Sequence, residues 1–501
     1  MTVKENLEYL LKELEKAANY IQAGNIVEYD METKTPAMGV EKQGQIQSLL
    51  SNKAYEITHE EKFVECIREL NEHIDELEDR EAKALITYLM KDIRRNENIS
   101  PKMNLEFSRI ENKAFADWIV AKKEAKFTKF APSLNKIKDM EFKKISLNNY
   151  ALSKPYDNLL DIYEPGMSTD KLDELFGECK ERLIPLLAKI KASNKFIRTD
   201  FASRHVSNHR QDQFSKFLLE VLGFDFDRGT YALSEHPFTE LLGRDDVRIT
   251  THFYDDNLFS SMYSIIHECG HALFDMSASD KDWKYFIHDY KSMGQHESVS
   301  RFYENIIGRS EGFISLIYEK MKEIFPDVLS DVSKLEIYDY VNQVNPSLIR
   351  TEADEFTYTF HIIIRYEIEK EIMEGKLKVE DIPNAWANKY KSYLGVIPRN
   401  DTVGALQDVH WTSGFGYFPT YALGNFYNSM YYNKMNTQID VADAIRTGHM
   451  EIINDWMHEN VWKNAAVLDA NDWIKEITGR EVTSKDFLDY LENKYGLIYG
   501  L

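Results

Sequence analysis

Apolar residues return every three or four positions from the start of the chain. Leu7, Leu10, Leu11, Leu14, Ala17, Ala18 and Ile21, with Lys and Glu between them, predict one face of an amphipathic helix. The same texture fills residues 60–92 and 106–144, with short polar breaks such as 96–101, so the N-terminal third reads as packed antiparallel helices. The acidic run over 71–83 reads as a solvated helix face. One stretch departs from this period. In DVRITTHFY, residues 246–254, Val247, Ile249, Thr251 and Phe253 alternate with Arg248, Thr250 and His252, which predicts a strand. Asp255, Asp256 and Asn257 then offer capping oxygens to a buried helix carrying Leu258, Met262, Ile265, Ile266, Cys269 and Leu273. Val299, Phe302, Tyr303, Ile306 and Ile307 predict another helix over 297–307. Pro346 opens a further one with Ile349, Ala353, Phe356, Phe360 and Ile364.

Composition sharpens this reading. Only 22 glycines and 12 prolines occur in 501 residues, as expected of a helix-rich globular chain, and no repeat or low-complexity linker interrupts it. The expectation is one domain over 1–501, with a helical N-terminal lobe over about 1–200. A net charge of −22 opposes nucleic acid and anionic membranes as partners. The start is rich in Lys and Glu, unlike a signal peptide, and no apolar run is long enough to span a bilayer, so a cytoplasmic location is expected. Cys66, Cys179 and Cys269 have no CxxC spacing, so neither a disulfide framework nor a cysteine zinc site is indicated.

The buried helix carries His267-Glu268-Cys269-Gly270-His271, an HExxH pattern. Two histidines four apart share a helix face, so both imidazoles can reach one cation at about 2.0–2.1 Å. Glu268 then points beside that cation, where a general base on the attacking water belongs. A catalytic zinc takes three protein ligands and keeps one position open. No histidine follows at the HExxHxxGxxH spacing. Glu297, expected at the start of the next helix, and its neighbour His296 compete for the third place. Asp275, four residues after His271, could accept a ligand imidazole's free N–H or simply face solvent.

Taken in order, DVRIT (246–250), HECGH (267–271), HES (296–298), IRTEAD (349–354) and GALQDVHW (404–411) resemble the signature motifs of the carboxypeptidase Taq family of metallocarboxypeptidases. The resemblance spans essentially the whole chain. It implies a mainly α fold similar to that of the peptidyl-dipeptidase (angiotensin-converting enzyme) and neurolysin group: a helical body split by a deep groove, with a small β-sheet beside the metal. It implies His267, His271 and Glu297 as ligands of one divalent metal, with zinc favoured and cobalt or manganese compatible. Glu268 is then the base that activates water and passes its proton to the leaving amine. His410 and a tyrosine, Tyr421 in preference to Tyr417, match the residues lining related clefts and would donate to the oxyanion. His236 resembles a cleft histidine that binds substrate backbone. His252 departs from the commoner form, which carries arginine there.

Removing a C-terminal residue requires a receptor for the free carboxylate, and a guanidinium supplies a bidentate one. Arg350 is the candidate, unless it only makes a helix ion pair with Asp354, and Arg248 on the strand is the alternative. The implied function is a metal-dependent carboxypeptidase acting on peptides with a free C-terminus, as a homodimer. An oligopeptidase with a longer groove is the alternative.

Overall fold

The computed structural model describes residues 2–289 and 291–501. Helices dominate, and several begin where the periodicity places them. The first runs Val3–Thr33, opened by a Thr2 capping box with Glu5. Its buried face holds Leu10, Leu14 and Ala17 and continues through Gly24 and Tyr29, leaving Ile21 half-exposed. The following helices Val40–Thr58, Glu61–Glu72, Arg80–Asn96, Pro101–Glu124 and Ala131–Leu147 respect the expected break near residue 100. The acidic run over 71–83 differs from expectation. Its middle, residues 73–79, forms the connection between Glu61–Glu72 and Arg80–Asn96, with one short turn at Ile74–Glu76, so Asp75, Glu76, Glu78 and Asp79 decorate a linker rather than a helix face.

The apolar interior falls into two clusters. The larger spans Phe107 to Ile498 and encloses the HExxH helix. The smaller joins Leu10, Phe63, Ile67, Leu85 and Ile86 to Tyr285 and Ile287, so a segment from the middle of the chain is packed into the N-terminal helices. This smaller cluster ends at Met90 among the N-terminal helices, well short of residue 200. Between those helices and the sheet lies a cavity of about 1220 Å³, lined by Leu14, Phe63, Ile67, Leu89, Leu241 and Trp283, among others.

The sheet has three strands, β1 (Gly229–Leu233), β2 (Thr239–Gly243) and β3 (Asp246–Thr251), in the order β1-β3-β2. β1 runs parallel to β3 and β2 antiparallel to it, with Thr239 opposite Ile249. Only β3 is visible in the sequence pattern, and it ends at Thr251 rather than Tyr254. Its supposed polar face is not uniformly outward. Thr250 is fully buried, its hydroxyl accepting from the Phe238 N–H at 2.9 Å and from Ser234 Oγ at 2.7 Å. β1 packs closely at Gly229, where a Cβ would stand 2.8 Å from the Val247 carbonyl oxygen. No helix among the described residues is long and apolar enough to cross a membrane.

Candidate active site

The HExxH helix, Leu258–Asp275, begins as anticipated at Asn257, whose side chain accepts from the Ser260 N–H at 3.1 Å. Ile265, Ile266, Cys269 and Ala272 are fully buried on its apolar side. The helix with Glu297 starts earlier than the apolar pattern suggests. It spans Met293–Arg301 under a Ser292–Gln295 capping box and continues as a π-helical segment, Phe302–Ile307. Glu297 therefore sits in its second turn. Gly270 lets the two helices meet, because a Cβ there would lie 2.7 Å from Ser300 Cα. On the other side, a Cβ at Gly424 would lie 3.1 Å from Glu297 Cγ, so the helix Pro419–Met435 backs the glutamate closely.

These crossings bring three donors together. The Nε2 atoms of His267 and His271 each lie 3.7 Å from Glu297 Oε2, too far for a hydrogen bond. Ligand atoms on a tetrahedral zinc stand about 3.3–3.4 Å apart, so the spacing fits a cation between them. His267, His271 and Glu297 form the one such group among the described residues, their donor atoms within 4.8 Å of one another. Charge agrees with this. Burial works against a protonated His267, yet Glu297, Glu304 and Glu268 around it hold it up to about 9. Burial, with His296, His267 and Lys291 nearby, pushes His271 well below its ordinary value. The carboxylates thus favour positive charge at His267, while His271 stays neutral.

Glu268 is buried beside this group and accepts from Thr239 Oγ1 at 2.6 Å, so the edge strand β2 orients it. Burial pushes its carboxyl above the usual range and Glu297 adds to this, while His267 and Thr239 pull it back, the balance a general base requires. Neither reading of Asp275 holds, since it is buried. Asp275 accepts no proton from a ligand imidazole. It binds His296 Nε2 at 3.0 Å and Lys291 Nζ at 3.3 Å, and His271 Nδ1 has no partner. His296, held by Asp275 with its ring stacked 4.3 Å from His271, stays outside the convergent group. The carboxylate behind the convergent group is Glu304, whose Oε2 lies 3.0 Å from His267 Nδ1 and accepts from Arg301 Nη1 at 3.0 Å. Its position two turns after Glu297 is a readable signal, but the π-helical turn shifts its phase.

A second cluster forms around Arg350. This residue lies in a short turn, Arg350–Glu352, before the helix Glu355–Met373, not within a helix opened by Pro346. The expected pair with Asp354 is absent, because Asp354 caps that helix by accepting from the Thr357 N–H at 2.9 Å. Arg350 Nε instead donates to Asp408 Oδ1 at 3.0 Å, and its Nη1 donates to Tyr358 Oη at 3.3 Å. Asp408 also accepts from Arg365 Nε at 2.7 Å, and Arg365 is completely buried. One carboxylate thus serves two guanidinium groups. Arg301 sits 4.1 Å over the Tyr358 ring and reaches to 3.9 Å from Glu297 Oε1, which links this cluster to the ligand helix. Asp408 was visible inside GALQDVHW, but nothing in its neighbours announces the two arginines it receives.

His410 Nε2 lies 3.4 Å from Tyr421 Oη, and the Arg350 guanidinium stacks 4.8 Å from the Tyr421 ring. Tyr417 stands 5.3 Å from Tyr421, ring to ring. Burial brings His410 down to about 4, so its imidazole is neutral at pH 7 and can act as an N–H donor. Burial raises both phenols, keeping them protonated. Two other candidates stand apart from this cluster. His236 is exposed between β1 and β2, where its carbonyl accepts from Ser234 Oγ at 2.6 Å. Arg248 is gripped by both oxygens of Asp246 at 2.8 Å and lies 5.1 Å from the Tyr29 ring, so its fork is already occupied. His252, where the resemblance implies arginine, binds the Ser234 carbonyl through Nδ1 at 2.9 Å.

A helical body with a small sheet against an HExxH helix, and a glutamate brought in by a later helix, defines a metallopeptidase. The chain belongs to the carboxypeptidase Taq (M32) metallopeptidase family, which it matches over residues 9–495. It is 37% identical over 491 residues to carboxypeptidase 1 of Bacillus subtilis, covering 97% of each chain. It is 32% identical to thermostable carboxypeptidase 1 of Thermus thermophilus, over the full length of both. The M32 carboxypeptidase of Deinococcus radiodurans superposes with a TM-score of 0.95 at 30% identity, covering 99% of this chain and 100% of that one. The protein is a metallocarboxypeptidase that depends on a divalent metal.

Proposed function

We propose that the enzyme releases C-terminal amino acids one at a time, with His267, His271 and Glu297 holding one zinc ion. Cobalt and manganese suit the same donors. The bound cation would supply the Lewis acidity that makes water nucleophilic at neutral pH. Glu268, oriented by Thr239, takes the proton of the attacking water and delivers it to the leaving amine. His410 and Tyr421, with Tyr417 beside them, donate to the developing oxyanion. His236, on the exposed β1–β2 connection, would meet the substrate backbone.

The observation that carries the exopeptidase reading is the sharing of Asp408. Arg350 and Arg365 have only this carboxylate within ion-pair distance among the described residues, so one positive charge is left over. Arg365 is fully buried, while Arg350 retains some exposure and its Nη2 donates to no described residue. The surplus charge therefore faces a ligand through Arg350, and a substrate's terminal carboxylate complements it. Arg248, already paired with Asp246, is the weaker receptor. The whole chain acts as one catalytic unit, since Tyr285 and Ile287 tie the N-terminal helices to the rest. Family resemblance supports a homodimer, and three buried, free thiols suit a reducing, cytoplasmic location. Time-resolved mass spectra of one peptide, free or amidated at its C-terminus, test the reading. Sequential loss of single residues from the free form alone is expected, whereas internal cleavage of the amidated form would make the enzyme an oligopeptidase.

A further inference from the structure

The segment that carries His410 and Tyr417 is neither helix nor strand over most of its length. It is held from behind by the helix Glu355–Met373, which presents Tyr358, His361, Arg365 and Glu369 three or four positions apart. Arg365 takes Asp408, as described. Glu369, almost fully buried, takes the next stretch. Its Oε1 accepts from Trp411 Nε1 at 2.7 Å, and its Oε2 accepts from the Gly416 N–H at 2.9 Å and the Tyr156 hydroxyl at 2.7 Å. Trp411 adjoins His410, and Gly416 adjoins Tyr417. The backbone at Gly416 has φ of +98°, and a Cβ there would lie 2.7 Å from the Leu159 carbonyl, so this approach to Glu369 is available to glycine alone.

We propose that Glu369 is a positioning residue for the reaction, fixing both ends of the 410–417 segment so that the His410 imidazole and the Tyr417 and Tyr421 phenols converge. This rests on the reading of His410 as an oxyanion donor. All three partners of Glu369 are donors, and a carboxylate, which only accepts, satisfies them all. An amide cannot. In either orientation of a glutamine side chain, the N–H of Trp411 or that of Gly416 would face another N–H. The site itself stays untouched, because Glu369 contacts neither the metal ligands nor Arg350.

The test is a kinetic cycle on the full-length metal-loaded enzyme, at a temperature where circular dichroism shows every variant folded. Glu369→Gln should lower kcat at least about tenfold, with KM and bound metal within about twofold of wild type, as expected for misplaced donors. Trp411→Phe should lower kcat about three- to tenfold, again at constant KM. The double variant should exceed Glu369→Gln in kcat, because removing the indole N–H relieves the donor–donor conflict. A merely structural glutamate would lower the melting temperature yet leave kcat of the folded variants unchanged, and that result overturns the proposal. So does a double variant whose loss is the product of the single losses. If Glu369→Gln does not fold, Trp411→Phe decides alone, and an unchanged kcat overturns the proposal. His410→Gln, run in parallel, separates the two ideas. Unchanged kcat there removes the oxyanion reading and the anchor with it, whereas loss in His410→Gln with none in Glu369→Gln removes the anchor only.

Discussion

The two sides of the site are built differently. The candidate metal side is assembled from helices crossing backbone to backbone, with Gly270 and Gly424 setting the distances, and its convergent donors come from regular helical positions. The side around Arg350 and His410 comes from short turns and an irregular segment, and a buried polar network of Asp408, Arg365 and Glu369 holds it. Their electrostatics are opposed. Glu268, Glu297 and Glu304 surround two histidines on one side, whereas Asp408 is shared by two arginines on the other. One side attracts a cation and the other an anion, an arrangement suited to a scissile bond adjacent to a free carboxylate.

The contrast breaks most sharply at Glu268. Glu268→Gln should retain metal and fold but lose about 10²- to 10⁴-fold in kcat, because the amide cannot take a proton. A near wild-type rate with metal analysis unchanged would assign the base elsewhere. Arg350→Ala should cost about 2–5 kcal/mol in transition-state binding, roughly 30- to several thousand-fold in kcat/KM, and Lys should rescue only part. Glu304→Ala, which removes the carboxylate behind His267, should weaken metal binding about 10- to 100-fold by competition with a chelator.

The smallest effect concerns Asp275. Burial opposes its ionisation, but His296 and Lys291 outweigh it and hold the carboxyl down at about 2, against an ordinary value of 3.8. A depressed carboxyl stabilises the folded state above pH 3.8 and loses that contribution as the pH falls through about 2. Asp275→Asn should therefore be about 2 kcal/mol less stable than wild type near neutral pH, and the gap should close between about pH 4 and pH 2. Denaturant melts across that window check it, and a gap constant throughout would deny the coupling.

The same division explains what the sequence reveals. The convergence of His267, His271 and Glu297, with Glu268 beside them, was legible because helical spacing turns sequence distance into direction. Strand β3 was legible by alternation, but β1 and β2 were not, since Gly229 and the irregular register at Leu241–Gly243 dilute any period of two. Around Arg350 the pattern misled. The helical spacing from Pro346 suggested a bond to Asp354, yet Asp354 caps the helix and Asp408 comes from 58 positions away. Long-range pairing of buried polar groups leaves no local signature, so Arg365 and Glu369 emerge only once the helices are packed.

The central claim is that the two sides divide the labour: the metal side cleaves, and Arg350 selects a free C-terminus. The most direct test is the ratio of kcat/KM for a peptide with a free C-terminus to that for its amidated twin, measured in wild type, Arg350→Ala, Arg350→Lys and Arg248→Ala, with metal content assayed in each. The account predicts a collapsed ratio at full metal content in Arg350→Ala, a partly restored ratio in Arg350→Lys, and a wild-type ratio in Arg248→Ala. A preserved ratio in both Arg350 variants, with collapse in Arg248→Ala, would contradict it and place the receptor on the strand.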